Sequence, residues 1–400
     1  MTSIEPTFTS VEICAGAGGQ AVGLHRAGFA HRALIEIDPH ACATLRANVE
    51  GNPDWRGCEV IKADLTNRDE FTPETLELEP GELDLLAGGV PCPPFSAAGK
   101  QLGHEDERDL FPTMLDMVDV LQPKAVMIEN VRGLLEPPEK FREYREDVIE
   151  HRLREAGYEI CYWKVLEARD YGVPQLRPRA ILVAMKKEYF KHFVWTEPEH
   201  TEMYTVAEAL KKSMRKRFKD SGQDPRWGGR YTTRWEPAYK KWLKEAQKGT
   251  VAPTLVGGSK KHGGADLGPS RAKEAWRKLG VCGLGVANDA SDVQDPERDL
   301  YSERGPKLTV SQAAIIQGFP EDWKFSGKKT AAYRQVGNAF PPPVAEAVGK
   351  QIIAALAAGK REKAAQAEKE STLFSVSVPS PSPRPELVDG GSDRKRAGVR

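Results

Sequence analysis

No stretch of this chain stays apolar for anything near the roughly 20 residues that a membrane-spanning helix requires. Residues 1–9 lack a basic region followed by an apolar one, so no secretory leader is expected. Cysteine is scarce and scattered, with six among 400 residues at positions 14, 42, 58, 92, 161 and 282, no Cys-x-x-Cys pair and no clustered histidines. That pattern argues against a zinc centre and against a disulfide scaffold; no metal is expected, and a reducing cytoplasm fits. A glycine loop is present, but it lacks the full G-x-G-x-x-G spacing of dinucleotide enzymes and the lysine of a Walker loop. Net charge is missing too, 58 basic residues balancing 58 acidic ones. The balance is uneven: positions 211–248 carry thirteen basic residues against four acidic ones, or +9, leaving −9 elsewhere.

The chain that remains is an ordinary globular one, long enough for two or three domains with a real core. Residues 11–15 read as a first strand, followed at once by Gly16-Ala17-Gly18-Gly19 and a helix over 20–27 that stops at Gly28. Strand, glycine loop and helix open a doubly wound α/β domain. A second strand over 32–37 ends in Glu36-Ile37-Asp38 before a helix over 40–48, and a third over 59–62 ends near Asp64. Acids at two successive strand tips can accept bonds from ribose hydroxyls and an adenine amine. With no phosphate-binding lysine, the ligand expected is adenosine-bearing and free of phosphate, a description S-adenosylmethionine meets.

The chain is organised around Gly88-Gly89-Val90-Pro91-Cys92-Pro93-Pro94-Phe95-Ser96. An apolar run over 83–87 leads in, two glycines permit a turn, and three prolines stiffen a loop holding one thiol. A cysteine is most often a small buried hydrophobe, yet a thiol on a rigid loop at a strand's end suits a nucleophile. A helix over 110–121 follows, then an apolar strand over 125–128 ending in Glu129, whose alternative is a solvated loop carboxylate. A helix over 139–156 leads to a strand around 163–166. The run Gln175-Leu176-Arg177-Pro178-Arg179 then opens another strand over 180–185. This alternation implies a mostly parallel sheet with ligands at its carboxyl edge.

Beyond about residue 193 the alternation stops. The basic segment interleaves Phe218, Trp227, Tyr231, Trp235, Tyr239 and Trp242, with Thr254, Gly257 and Gly258 further on. Such a mixture suits a nucleic-acid surface, although Trp235, Tyr239 and Trp242 fall at helical spacing and read as the insert's own core. Regular structure returns with a helix over 312–317, then Gln335-Val336-Gly337-Asn338 and a helix over 344–358 that begins at Pro343. Past Gly359 the Glu/Lys and Ser/Pro runs bury nothing and read as disordered.

Together these blocks resemble the DNA (cytosine-5) methyltransferase family of bacterial type. The glycine loop, Glu36, Asp64, Pro91-Cys92, Glu129-Asn130-Val131, Gln175-x-Arg177-x-Arg179, Gln317-Gly318-Phe319-Pro320 and Gln335-x-Gly337-Asn338 occur in that family's order, over about residues 8 to 355. The resemblance implies a Rossmann-like S-adenosylmethionine-dependent methyltransferase domain (8–193 and 306–358) carrying an inserted target-recognition domain (194–305), with 359–400 a disordered tail. It makes Cys92 the nucleophile toward cytosine C6, Glu129 the group on N3 and the exocyclic amine, Arg179 a stabiliser of developing charge and Arg177 its support, all on a flipped base. The cofactor falls to Ile13, Gly16, Gly18, Glu36, Ile37, Asp64, Leu65, Pro91 and Asn338. Substrate contacts fall to Ser96, Lys100, Arg108, Gln175, Thr254, Gly257 and Gly258. Two positions depart from the family: Cys14 stands where an aromatic is usual, and Ile37 where tryptophan is usual. The expected partner is duplex DNA, bound by a monomer, with a restriction endonuclease of the same site as a possible counterpart. A transfer-RNA methyltransferase, a silent DNA-binding relative of the fold and a nicotinamide oxidoreductase are the competing readings; the roughly 110-residue insert favours DNA over transfer RNA.

Overall fold

A computed structural model describes residues 8–91, 109–198, 203–257, 265–289 and 294–376, the last few by backbone alone. Seven strands build one sheet: β1 (Phe8–Ile13), β2 (Phe29–Glu36), β3 (Glu59–Lys62), β4 (Leu85–Gly88), β5 (Ala125–Val131), β6 (Tyr158–Glu167) and β7 (Pro178–Lys186), in the order β3-β2-β1-β4-β5-β7-β6. Five strands run parallel from β3 to β5, while β7 lies antiparallel to both β5 and β6. The mostly parallel sheet read from the sequence therefore has one reversed strand, joined to β6 by the short connection that antiparallel neighbours permit.

Helices α1 (Gly19–Ala27), α2 (Pro39–Val49) and α3 (Phe111–Leu121) follow β1, β2 and β4. Strand residues alternate between two buried cores, as a period of two dictates for a sheet covered on both faces. Leu86, Val126 and Ile128 join Phe111, Met114 and Val118 of α3 on one side. Leu85, Ala87 and Met127 join Leu24 of α1 on the other. The regular helix expected over 139–156 is not formed. Phe141 adopts φ 63°, Tyr144–Glu150 is wound as a π-helix, and only α4 (His151–Glu155) is α-helical. A left-handed aromatic residue interrupts the right-handed winding and displaces the helix start.

After α5 (Lys187–Phe190) the chain becomes helical: α6 (Val206–Gln223), α7 (Trp235–Ala246), α8 (Ser270–Lys278), α9 (Pro296–Asp299), α10 (Val310–Gln317) and α11 (Lys329–Asn338). Thr205 and Thr309 cap α6 and α10 in reciprocal capping boxes. Tyr239 and Trp242 are buried and Trp235 packs against them, as the helical spacing predicts. The same core takes in Val310, Ile316, Tyr333 and Val336, so packing does not divide at 305/306: α10 and α11 share the insert's apolar cluster.

The last helix, α12 (Pro342–Val376), runs past the expected stop at Gly359, so residues 359–376 are helical where a disordered tail was expected. Gly359 is an internal helix residue here rather than a left-handed terminator. Val344, Val348 and Ile352 bury against Leu24 and Phe29, which is how the chain's far end reaches the first strands.

Candidate active site

A doubly wound sheet offers a ligand crevice where its strand order reverses, at the carboxyl ends of the strands flanking that point. Here those strands are β1 and β4, and a cavity of about 380 Å³ opens beyond their ends. It lies within the size range of sites that take small molecules and cofactors.

The loop after β1 is left-handed at Cys14, Gly16 and Gly18 (φ 51°, 54° and 84°). Its shape is held from the tip of β2. Glu36 Oε2 accepts from the Gly16 amide at 2.7 Å, while Oε1 accepts from the Ile37 and Asp38 amides at 2.8 Å each. Bonds from amides to a carboxylate are among the stronger hydrogen bonds, and Oε2 keeps acceptor capacity beyond its single partner. Asp38, the second acid of that tip, is spent as the N-cap of α2, accepting from the His40 and Ala41 amides at 2.8 and 3.0 Å. At the tip of β3, Asp64 Oδ1 accepts from the Thr66 amide and hydroxyl at 2.9 and 2.7 Å. Those bonds hold its carboxyl below the usual range.

Of the predicted cofactor residues, Gly16, Glu36, Ile37, Asp64, Leu65, Pro91 and Asn338 line the cavity. Ile37 exposes 55 % of its surface there, a large apolar side chain left open at a strand tip. Two of the expected residues, Ile13 and Gly18, are not in that lining. Ile13 is fully buried in the sheet core, and Gly18 faces Leu45 and Trp323, where a β-carbon would lie 2.9 Å from each. The sequence reading missed Glu12, Gln20, Leu110, Arg334 and Phe340, which share the wall. Arg334 could have been found, because it stands four residues before Asn338 and a helix puts both on one face.

Across the cavity, Glu129 lies inside β5 rather than after it, and its Oε1 meets Arg179 Nε at 2.6 Å, each side chain 14 % exposed. The reversal of β7 makes this pair. Arg179 stands at the start of its strand opposite Val131, so an antiparallel register brings it diagonally to Glu129 at the sheet's carboxyl edge. A β-carbon on Gly89 would lie 3.1 Å from Glu129 Oε2, so the backbone after β4 passes directly against the carboxylate. Asn130 donates to Val90 O at 3.0 Å, and Leu110 N to Pro91 O at 3.4 Å. Cys92, Ser96, Lys100, Arg108 and Gly258 lie outside the described residues.

Gln175 and Arg177 do not face a substrate. Gln175 is fully buried, accepting from the Leu255 amide at 2.9 Å and donating to Ile316 O at 3.3 Å and to Gln317. Arg177 is 1 % exposed and donates to Leu255 O at 2.7 Å and Gly337 O at 2.9 Å. Burial, with Arg179 nearby, lowers its pKa. Both tie the strand's start to the insert at Leu255, Gln175 also to α10 and Arg177 also to α11, so Gln175, expected to contact substrate, and Arg177, expected to support Arg179, both bond to the protein itself. Thr254 donates to Leu176 O at 2.6 Å. Gly257 and Gly337 meet backbone to backbone: a β-carbon on Gly337 would lie 2.5 Å from the Gly257 nitrogen.

Fold and site together define a class, the S-adenosylmethionine-dependent methyltransferase fold with a helical insert. Solved structures share the fold at low identity: a DNMT2 variant from Spodoptera frugiperda (TM-score 0.54, 15 % identity, 87 % of this chain and 100 % of that one) and the Entamoeba histolytica methyltransferase EhMeth (0.53, 15 %, 87 % and 98 %). The chain belongs to the C-5 cytosine-specific DNA methylase family, whose model matches residues 8–354. It is 49 % identical over 347 residues to the Type II methyltransferase M.NaeI of Lentzea aerocolonigenes, covering 86 % of this chain and 75 % of that protein. It is 48 % identical over 358 residues to the Type II methyltransferase M.NgoMIV of Neisseria gonorrhoeae, covering 87 % and 98 %.

Proposed function

We propose that this chain methylates C5 of a cytosine flipped out of a specific site in duplex DNA. The observation that carries the reading is the Glu129–Arg179 pair, 2.6 Å apart, whose carboxylate lines the same cavity as the acids at the tips of β2 and β3. The donor set fits S-adenosylmethionine. Glu36 has acceptor capacity for ribose hydroxyls, Asp64 keeps Oδ2 for an adenine amine, and Ile37 offers apolar surface to the base. When bound, that cofactor supplies an electrophilic methyl group on a sulfonium.

The chain's own residues then have separable tasks. Cys92 adds as thiolate to cytosine C6, which gives C5 carbanion character. Glu129 holds N3 and the exocyclic amine and shares the proton that makes C6 electrophilic. Arg179 fixes that carboxylate and faces the charge that develops on the ring. Loss of the C5 proton after methyl transfer expels Cys92 and restores the ring. Asn130 and the Pro91–Leu110 contact hold the stem of the loop that carries the thiol. Four of the other five cysteines support this assignment, because burial pushes the thiols of Cys14, Cys42, Cys58 and Cys161 up, away from the thiolate a nucleophile must supply.

The basic insert supplies the DNA surface, with Thr254 and Gly257 at its inner edge. Among the described residues no helix is long and apolar enough to cross a membrane; we place the enzyme in the bacterial cytoplasm, where its DNA lies. The Type II names of its relatives support a partner endonuclease that cuts the same site. Incubation with labelled S-adenosylmethionine and either duplex DNA or transfer RNA tests the reading, and bisulfite sequencing locates the product. Label should enter DNA, and Cys92→Ser should abolish its transfer while cofactor binding persists. Preferential labelling of transfer RNA would overturn it.

A further inference from the structure

The cofactor cavity is strongly one-sided in charge. Glu12, Glu36, Asp38, Asp64 and Glu129 line it, against Arg334 as the one arginine or lysine among the described residues of its wall. Setting aside Glu129, paired with Arg179, and Glu12, whose burial raises its pKa, three carboxylates still face one guanidinium. Arg334 is half-buried on α11, one turn before Asn338. Among the described residues it forms no ion pair, and its Nε is buried without a partner there. A guanidinium left open beside an acid-rich cavity is complementary to a ligand that is mostly cationic yet bears one anionic group. S-adenosylmethionine has that pattern, with a sulfonium, an ammonium and a single carboxylate.

Resting on the cofactor reading above, we propose that Arg334 receives the α-carboxylate at the methionine end of the cofactor. Arg334 would then select ligands that carry a complete amino acid. The contact also couples the cofactor to the insert, since the Arg334 carbonyl lies 3.1 Å from where a β-carbon on Gly257 would sit. A charge-assisted contact at a half-buried site supports roughly a tenfold effect on affinity or somewhat more.

The test is calorimetric titration of the full chain and its Arg334→Met variant with S-adenosylmethionine and with decarboxylated S-adenosylmethionine, which keeps the sulfonium and ammonium but lacks the carboxylate. The wild type should prefer the intact cofactor by about tenfold or more. Arg334→Met should lose that preference by weakening the intact cofactor alone, with the decarboxylated one unchanged within about twofold, and Arg334→Lys should restore part of it. Equal weakening of both ligands, or undiminished binding of the intact one, would overturn the proposal. So would a variant whose sole defect is weaker binding of duplex DNA, which would assign Arg334 to a phosphate. Failure of the wild type to bind either ligand would strike the cofactor reading instead.

Discussion

Two regions of this molecule bury charge in opposite ways. In the insert, Arg217 is 6 % exposed and donates to Lys307 O, to Asp299 O at 3.2 Å and to Gln312 Oε1 at 3.2 Å. Burial lowers its pKa to about 10. Its two terminal nitrogens are spent on carbonyl oxygens that join α6 to α9 and α10, while its Nε is buried without a partner among the described residues. At the sheet's carboxyl edge, Glu36, Glu129 and Arg179 are also largely buried, yet each is held on one side and open on the other. The insert's buried charge is tied to carbonyl oxygens of neighbouring helices, whereas those at the sheet's edge are anchored on one side and face the cavity on the other, as orientation for a ligand requires. Arg177 shows that the distinction is local. It sits two residues from Arg179, faces the opposite way in function, and behaves like Arg217.

The largest effect should come from breaking an open charge. Glu129→Gln should lower labelled-methyl transfer about 10²- to 10⁴-fold and leave the melting temperature nearly unchanged. Retention of transfer within tenfold would remove Glu129 from the chemistry. Breaking a closed charge should do the reverse. Arg217→Met leaves buried carbonyls without donors and should cost about 1–3 kcal/mol in urea unfolding, with affinity for S-adenosylhomocysteine unaltered. Arg177→Met should cost a similar amount and also lower kcat, because it severs the link to Leu255 and Gly337; a purely thermodynamic defect would contradict the positioning role.

A smaller effect should follow pH. His31 is buried between Ser10 Oγ and Ala21 O at 3.0 Å each, and burial lowers its pKa to about 3. Between that value and the ordinary 6.5 of an unfolded histidine, the unfolded chain binds a proton that the folded one refuses. Its contribution is therefore complete above pH 6.5 and is lost as pH falls toward 3, at about 1.4 kcal/mol per unit. Urea midpoints of wild type and His31→Asn between pH 7.5 and 5 should show a shallower decline in the variant. Smallest of all, Asp64→Asn should weaken S-adenosylhomocysteine binding about fivefold, within the range of one exposed hydrogen bond.

Much of the site was legible in the chain itself. Acids at strand tips, a glycine loop after β1 and the Gln-x-Arg-x-Arg run were readable because composition and period mark strand ends. The differences between expectation and structure have physical reasons. Gln175 looks like a ligand-facing polar residue, since nothing local announces the Leu255 amide, Ile316 carbonyl and Gln317 side chain that it bonds. Gly359 looks like a stop, but a helix ends at glycine only where the backbone actually turns left-handed.

By itself the sequence determined which reactive groups are present: a cysteine set among prolines, carboxylates after apolar runs and a basic insert. Tertiary structure alone decided which of those groups meet. A period of two tells which face a residue takes but carries no strand direction. The reversal of β7 therefore had to be seen before Arg179 could be set against Glu129. The packing of α11 against the insert likewise brings Arg334 and Asn338, some 320 residues from the glycine loop, to the same cavity, because side-chain burial joins segments that no local pattern connects.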